Sequence, residues 1–419
     1  MARTDVIVLG AGIVGTSIAL HLAKRGLSVA LVDRRGPGEE TSYGNAGVIE
    51  GNTLFPHAFP SGFGELLRIA LKRAPEANYH LSFLPRIAPW LLAYRANTRP
   101  AGRIAFAEAM RPLFSRAVSE HEELMAESGA TRYLRKDGWI KLYRSDKSFE
   151  GTVRERALAE QLGLPHRVLT GPEARALEPS LQPMFRHAVH WPDAASVSNP
   201  LAVTKAYAAQ FVILGGIMLK GDARTLHRTG PTWRVDTDEG PLDARDIVVA
   251  LGPWMPDLLE LLGLRLPLAV KRGYHWHFRP HGNAGLTRPV VDTENGYCIA
   301  PMDQGLRITT GAEFAARDAP PTPEQFDRLL PAAKGLFPLD DPVEPEPWMG
   351  SRPCFADSRP VIGRVPKQSG LWLACGHAHW GLTLGPVTGR LVADMITGST
   401  PFCDPAPYAA ERFSRQNGS

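Results

Sequence analysis

The stretch that decides the fold is Gly10-Ala11-Gly12-Ile13-Val14-Gly15, which directly follows the apolar run Val6-Ile7-Val8-Leu9. A short apolar run that ends at glycine predicts a buried parallel strand, and the pattern from Ile13 to Arg25 predicts a helix closed by Gly26. In such a turn, the first glycine bends the chain, the second lets a pyrophosphate approach the backbone, and the third lets helix and strand pack closely. The free N–H groups of the helix N-terminus then favour phosphate.

Beyond the glycines, a second apolar strand from Ser28 to Val32 ends at Asp33 and completes a βαβ unit. An acidic residue here hydrogen-bonds a ribose hydroxyl and repels a 2′-phosphate, so the pattern predicts a Rossmann-type domain for NAD or FAD. The next segment, Glu40 to Val48, offers small residues and backbone donors to a flat ring. A flexible surface loop has the same composition, because residues 37–62 are rich in Gly, Pro, Ser and Asn.

A second glycine-rich junction lies near the C-terminal end, from Gly376 to Pro386. It follows a predicted strand, Leu371 to Cys375, and precedes a predicted helix, Pro386 to Gly398. The positive end of that helix would suit an electron-rich reduced ring. The residues alone support a simple strand-to-helix connection equally well, so both interpretations stay open.

The composition is that of an ordinary globular protein and excludes several functional classes. Hydrophobic residues make up 44% of the 419 residues, and the net charge of +4 is too small for a nucleic-acid-binding face. No run reaches the roughly 18 apolar residues that span a bilayer, and the first residues lack a secretory pattern. Four separated cysteines indicate reduced thiols. We therefore expect a cytoplasmic protein.

Several motifs, in a consistent order along nearly the whole chain, resemble the D-amino-acid oxidase/glycine oxidase superfamily of FAD enzymes. The chain looks closest to the D-amino-acid dehydrogenase-like branch. The motifs are GAGIVG with Asp33, ETSYGNAG at 40–47, LTGPEARALEP at 169–179, DIVVALGPW at 246–254, KRGYHWHF at 271–278, SRPCFADSRPVIG at 351–363 and CGHAHWGLTLGPVTG at 375–389. The resemblance selects FAD over NAD.

The resemblance implies an α/β fold with two domains. A Rossmann-type FAD-binding domain would be assembled from discontinuous segments, beside an α+β substrate-binding domain with a mixed β-sheet. The expected FAD-binding segments are 1–62, 146–180, 198–262 and 346–419. The expected substrate-binding segments are 63–145, 181–197 and 263–345.

The resemblance also assigns residues to the cofactor. The first glycines and Asp33 would hold pyrophosphate and ribose, residues 42–48 and 379–383 would surround the flavin, and Ala223 would contact adenine. The expected FAD-binding residues are Gly10, Gly12, Ile13, Val14, Gly15, Asp33, Arg34, Ser42, Asn45, Ala46, Gly47, Val48, Ala223, Ala250, Leu251, Gly252, Trp254, Arg352, Gly376, His379, Trp380, Gly381, Leu382 and Thr383.

For the substrate, Arg352 matches the superfamily arginine that binds a carboxylate, and Tyr297 matches a tyrosine that assists it. A planar guanidinium holds a carboxylate through two parallel charge-assisted hydrogen bonds. Without the motif, Arg352 would be interpreted as part of a surface salt bridge. In KRGYHWHF, Tyr274 or His275 is expected to contact substrate as well.

The implied reaction is dehydrogenation of a small amino acid, either a D-amino acid or a proline- or glycine-like amine, by hydride transfer from the α-carbon to flavin N5. The acceptor of the electrons would be oxygen or a quinone. An alternative is a flavin-bearing subunit of a hetero-oligomeric amine or hydroxyproline dehydrogenase complex. The oligomeric state stays open.

Three further features have competing interpretations. His275 and His277 would face the same side of a strand, but no acidic residue or cysteine at ligand-like spacing completes a metal site. Cys354 lies near the position where some relatives attach flavin, but its offset from Asp357 differs, so non-covalent FAD is expected. Basic and apolar residues in the helical region 63–100 suit either a subdomain packed on the sheet or peripheral contact with the inner face of the membrane.

Overall fold

The apolar run after the first residues forms the opening strand of a Rossmann-type sheet in the computed structural model, which describes residues 2–60 and 62–416. The strands are β1 Ala2–Leu9, β2 Val29–Asp33, β3 Val48–Ile49, β4 Ala77–Tyr79, β5 Leu134–Arg135, β6 Trp139–Tyr143, β7 Arg167–Thr170, β8 His187–Trp191, β9 Ala195–Val197, β10 Ile217–Lys220, β11 His227–Thr229, β12 Thr232–Thr237, β13 Gly240–Val249, β14 Ala269–Pro280, β15 Val290–Asp292, β16 Tyr297–Met302, β17 Gly305–Thr309, β18 Ala312–Phe314, β19 Leu339–Pro342, β20 Trp348–Cys354, β21 Val361–Arg364 and β22 Leu371–Cys375. The α-helices are α1 Ile13–Lys24, α2 Phe63–Ala70, α3 Leu84–Asn97, α4 Pro100–Glu127, α5 Asp146–Glu150, α6 Val153–Gln161, α7 Gly171–Leu177, α8 Pro200–Ile213, α9 Met255–Leu261, α10 Gln325–Leu336 and α11 Gly381–Thr397.

The first sheet has the order β10-β2-β1-β13-β12-β11, and β22 joins β13 and β21. Its central strands run parallel, and β1 pairs with both β2 and β13. Helices α1 and α11 pack together on this sheet through close glycine contacts. A Cβ on Gly389 would lie 2.7 Å from the Ser17 backbone, and one on Gly385 would lie 3.0 Å from Ile13. The expected Rossmann-type architecture is confirmed.

Helix α11 begins at Gly381 rather than at the predicted Pro386, which lies inside it. Proline cannot donate to the carbonyl four residues earlier. That carbonyl, on Leu382, instead accepts a hydrogen bond of 2.7 Å from Nε2 of buried His121. The side chain of His121, on α4, thus replaces the backbone donor that proline lacks. Helix α11 therefore continues through Pro386.

The second sheet is mixed and follows the order β4-β18-β14-β17-β16-β15-β6-β8-β7, with β19 and β20 also pairing with β14. Side chains alternate between its two faces. We call the face that carries Lys271, Gly273, His275, Arg307 and Arg352 the front face, because the register of β14 with β17 and β20 places these residues on one side.

The opposite side, the back face, is closed by α10. Phe326, Leu329 and Leu336 of this helix pack with Ile299 and Ile308 of the sheet in one buried cluster. Because the back face is covered by a helix, a ligand that contacts this sheet would have to lie on the front face.

The strand pairing differs from the predicted domain boundaries in three places. Strand β7 pairs with β8 in the mixed sheet, although 146–180 was assigned to the FAD-binding domain. Strand β20 pairs with β14, although 346–419 was assigned there too. Helix α4 packs in the core with α1 and α11, although 63–145 was assigned to the substrate-binding domain. A local apolar pattern shows that a strand or helix forms, but not which sheet it joins. The extremes of segments 1–62 and 346–419 lie outside the described residues.

The helical region 63–100 divides into two different parts. Helix α3 packs on the mixed sheet through Ile87, Trp90 and Tyr94, as expected of a subdomain. Helix α2 has no buried residue, and Phe63 at its start is 82% exposed. Across the described residues, no helix is both long and apolar enough to cross a membrane.

Candidate active site

The first glycine turn has the geometry that a pyrophosphate requires. Gly10 has φ +105°, and a Cβ there would lie 2.5 Å from the Ala250 carbonyl oxygen. A Cβ on Gly15 would overlap the Gly10 carbonyl oxygen at 1.8 Å, so Gly15 serves the packing of helix on strand. The missing side chains leave the backbone of the turn accessible at the N-terminus of α1, where free N–H groups favour phosphate.

Asp33 and Ser42 already bind this turn. Asp33 accepts a hydrogen bond of 2.6 Å from the Ala11 N–H through one carboxylate oxygen, and the other accepts from the Arg35 N–H. The Ser42 hydroxyl accepts from the N–H of Ile13 at 2.9 Å. The carboxylate therefore lies at the carboxyl end of β2 beside the glycines, as a ribose-binding residue must.

The turn opens into a cavity of about 750 Å³, which we call the nucleotide cavity. The predicted FAD-binding residues that line it are Gly10, Gly12, Ile13, Val14, Asp33, Arg34, Ser42, Ala223, Ala250, Leu251, Gly252, Trp254, Gly376 and Gly381. Near Trp254 the lining is aromatic and charged: the guanidinium groups of Arg34 and Arg317 lie 4.5 Å and 5.9 Å from the ring centroid, and both arginines are paired with carboxylates. Arg317 was not predicted. It is distant in sequence from every nucleotide motif.

Apart from Gly15 inside α1 and Arg352 on β20, the remaining predicted cofactor residues lie where residues 45–50 meet α11. The Asn45 amide donates to the His379 carbonyl at 3.1 Å and accepts from the Gly47 N–H at 2.8 Å. The Thr383 hydroxyl donates to the Val48 carbonyl at 3.1 Å. These bonds hold residues 45–50, which were predicted to border the flavin, against the N-terminus of α11, which was predicted to lie at the other end of the flavin.

Three predicted side chains are packed in the protein rather than directed to a ligand. Trp380 and Leu382 belong to the core beneath α11, so only their backbone could face a cofactor. Ala46 packs on Cys298, Ala300 and Met302 of the front face. This last contact places the 45–50 loop directly over the mixed sheet.

Arg352 projects from β20 on the front face and is half-buried. Its guanidinium donates to the carbonyls of Gly311 at 2.8 Å and Thr310 at 3.1 Å, and it lies over Gly273. Within residues 2–60 and 62–416, no acidic side chain forms an ion pair with it. Burial lowers the pKa of Arg352 from its ordinary value. The interpretation as a surface salt bridge is therefore wrong, and the guanidinium has unused N–H groups.

Lys271 stands directly opposite Arg352 across the β14–β20 pair and was not predicted. Its ammonium lies 4.2 Å from the Tyr94 ring centroid and 4.9 Å from that of Trp90, both on α3. Burial, and then the charge of Arg352, lower the pKa of Lys271. The pairing register of β14 with β20 brings these two cations together, and their spacing in the sequence does not predict it.

Tyr274 and Tyr297 lie on the back face, so the structure does not bring them together with Arg352. The Tyr274 hydroxyl donates to Glu313 at 2.8 Å within a fully buried pair between Glu313 and Arg272. Tyr297 is 2% exposed and packs in the cluster under α10. Each is displaced from the front face by a single step of strand alternation.

His275 is on the front face but is not brought to Arg352. It is 1% exposed, stacks on Trp348 at 4.9 Å and contacts the edge of Tyr43 at 5.2 Å. It pairs across the sheet with Trp348, four residues from the end where Lys271 meets Arg352. Burial lowers its pKa to about 2, so the imidazole is neutral. Its expected contact with substrate stays a prediction.

His277 shares this face, as predicted, with its ring 5.0 Å from that of His275. Its Nδ1 pairs with Glu344 at 2.5 Å, and its Nε2 accepts from Arg307 at 3.0 Å. In the described part of the chain, no group of three or more His, Cys, Asp and Glu residues could hold a metal ion. The side chain is thus used in packing the sheet.

Two further histidines lie near Arg352 and Lys271. His57 and His379 lie with ring centroids 5.1 Å apart, and both experience the charges of Arg352 and Lys271. Burial, followed by the charges of nearby cations, lowers the pKa of His57 to about 4. Burial lowers that of His379 well below its usual value. Both rings are therefore neutral at pH 7, and the positive charge around them comes from the nearby arginine and lysines.

The structure is similar along its length to known flavoproteins. The model of the FAD dependent oxidoreductase family matches residues 5–395. A protein named D-amino acid dehydrogenase from Paramagnetospirillum magneticum is 32% identical over 98% of this chain and 99% of its own. One named D-amino-acid oxidase from Bradyrhizobium diazoefficiens is 28% identical over 97% and 98%. The crystal structure of glycine oxidase from Geobacillus kaustophilus has a TM-score of 0.75 at 25% identity, covering 98% and 99%. The chain belongs to the DAO family of FAD-dependent oxidoreductases.

Proposed function

We propose that this protein oxidises the α-carbon of an amino acid whose carboxylate is held by Arg352. The observation that carries the proposal is a half-buried guanidinium, fixed by the carbonyls of Thr310 and Gly311, that has no acidic partner among the described residues. A buried cation without a counter-charge is costly unless an anion binds it. The relatives' names, which specify D-amino acids and glycine, support an amino acid as that anion.

The residues of the chain bind and orient rather than transfer protons. FAD, when bound, supplies the acceptor for the hydride that leaves the α-carbon. Arg352 would fix the carboxylate by two charge-assisted hydrogen bonds, which sets the position of the adjoining α-carbon. Trp90 and Tyr94 of α3 cover the front face beside it and exclude water. His57 and His379 are neutral, so they do not repel the substrate's amino group.

The cofactor site fits non-covalent FAD. The nucleotide cavity has the glycine turn, the carboxylate of Asp33 and an aromatic end at Trp254. Cys354, the thiol weighed for covalent attachment, is 3% exposed and donates to the Arg352 carbonyl. Burial raises its pKa, which disfavours the thiolate needed for such a bond.

The test is anaerobic mixing of the FAD-loaded protein with D-alanine, glycine, sarcosine, D-proline and hydroxyproline isomers, followed by bleaching of flavin absorbance at about 450 nm. We expect at least one compound to reduce the flavin. Arg352→Ala should keep FAD bound and weaken substrate affinity at least about tenfold, the loss expected of a charge-assisted hydrogen bond. Arg279→Ala, an exposed position on β14, is the matched control. Wild-type reduction by Arg352→Ala would remove the carboxylate assignment.

The same reduced protein identifies the electron acceptor. Reoxidation is followed after mixing with oxygen or with a water-soluble quinone, each at the same concentration. Faster recovery with oxygen would classify the protein as an oxidase, and faster recovery with quinone as a dehydrogenase.

A further inference from the structure

The end of the front face where Arg352 lies carries one more cation than a monocarboxylic amino acid needs, since Arg307 lies at the other end and bonds His277 and the carbonyls of Tyr43 and Asn45. Lys271 and Arg352 are directly opposed across the β14–β20 pair. Directly opposed residues have Cβ atoms about 4.5–5.5 Å apart, and like charges in such a pair destabilise a sheet. Both side chains are only partly accessible, so water screens their repulsion less than it would at an open surface.

The surroundings of Lys271 provide no compensating charge. Among the described residues, no carboxylate forms an ion pair or hydrogen bond with its ammonium. The other lysine near this space, Lys141, has its own partner in Glu155 at 3.2 Å. The thiol of Cys354 is protonated, because burial raises its pKa. Two positive charges therefore remain, of which one substrate carboxylate would neutralise only one.

The geometry points to a second anion-binding subsite at Lys271, so that the substrate is an amino or imino acid with two carboxylates. Arg352 would hold the carboxylate next to the reacting carbon and Lys271 the other. This inference rests on the proposed function, since it names the substrate class of the same site. It makes Lys271 a specificity-determining residue.

The aromatic rings beside Lys271 allow a competing explanation. Trp90 and Tyr94 attract the ammonium through their ring faces, and this could hold the lysine without any ligand. The two explanations differ in a measurable way. A purely structural lysine affects substrates with and without the second carboxylate equally, whereas an anion-binding lysine affects only those that have it.

The experiment uses substrate pairs that differ in one group. D-aspartate is compared with its uncharged analogue D-asparagine and with D-alanine, and iminodiacetate is compared with sarcosine. Each is mixed anaerobically with the FAD-loaded protein, and the concentration dependence of flavin reduction gives an apparent dissociation constant. Calorimetric titration with succinate and with propionate measures anion binding without turnover.

We expect the dicarboxylate of each pair to bind at least about tenfold more tightly, as a charge-assisted contact implies. Lys271→Met should remove that preference while changing the constants for D-asparagine and sarcosine less than about threefold. Lys271→Arg should retain part of the preference. Lys205→Met, which removes an exposed lysine paired with Glu39, is the matched control and should change nothing.

Equal binding of both members of each pair by the wild-type protein would overturn the inference, and this requires no variant to fold. A preference that survives in Lys271→Met would overturn it too. Flavin reduction by the monocarboxylates alone would refute the second subsite and leave the proposed function intact. If no compound reduces the flavin but succinate binds in a Lys271-dependent way, the oxidation fails while the anion subsite stands.

Discussion

Gly273→Ala should test whether this glycine sets the position of the Arg352 guanidinium. An ideal Cβ at residue 273 would lie 2.3 Å from Nη2 and 2.6 Å from Cζ of Arg352, and no other residue supplies its three nearest atoms. The obstructed atoms are the flexible end of a side chain, so the guanidinium can move aside while the strand stays in place. Gly273 has no left-handed φ, so alanine fits its backbone.

Moving the guanidinium breaks its bonds to the carbonyls of Gly311 and Thr310. A hydrogen bond from a charged donor contributes about 1.5–3 kcal/mol, and each 1.4 kcal/mol is about tenfold in affinity. Loss of one such contact to a substrate carboxylate therefore predicts a dissociation constant raised about 10- to 100-fold. The two bonds inside the protein are lost as well, so the free energy of unfolding should fall by up to about 3–6 kcal/mol, while the strand itself stays in place.

The assay is anaerobic flavin reduction across substrate concentrations, paired with urea unfolding of the same preparations. Gly285→Ala is the matched control, since a Cβ there meets no atom within 4 Å. If Gly273→Ala retains wild-type substrate affinity with bound FAD, Arg352 is not placed by this glycine and the geometric argument is wrong. A large loss of stability with unchanged affinity would contradict it as well.

Two other perturbations test opposite parts of the molecule. Tyr274→Phe removes the hydroxyl that bonds Glu313, so we expect a loss of about 1–3 kcal/mol in unfolding free energy. Substrate affinity should not change, and a tenfold weaker affinity would restore Tyr274 to the substrate site. Burial lowers the pKa of His121 to about 4, below its unfolded value of about 6.5, so its stabilisation is present above pH 6.5 and is lost as pH falls towards 4. This histidine alone should make the protein about 2 kcal/mol less stable at pH 5 than at pH 7. His121→Gln should flatten that dependence in unfolding measured across this range, and an unchanged slope would refute the assignment.

The glycine turn and the position of Asp33 beside it could be predicted from sequence because their determinants are local. Gly10, Gly15 and Asp33 act through one turn and the strand that follows, and the structure places them as that unit requires. Arg317 illustrates the limit of this reasoning. It reaches Trp254 through tertiary packing between distant segments, and no spacing in the chain records that approach.

The substrate half could not be predicted in the same way because side-chain direction on a strand changes at every residue. The motif that contains Tyr297 was recognised, yet the side chain enters the core under α10, while its neighbour Cys298 faces the 45–50 loop. A motif match aligns the backbone and does not fix which face a side chain takes. Only the pairing register resolves this, and register is a long-range property.

The same pairing register explains why a role for Lys271 could not be predicted from the sequence. Lys271 and Arg272 are adjacent basic residues, and the local sequence does not distinguish their roles. Strand alternation sends Arg272 to the back face, where Glu313 neutralises it completely within the core. It sends Lys271 to the front face, opposite Arg352, with no acid to pair with among the described residues. Because a carboxylate neutralises Arg272 and none pairs with Lys271, the one-residue difference between them separates a fold-stabilising arginine from the lysine that we expect to select the substrate.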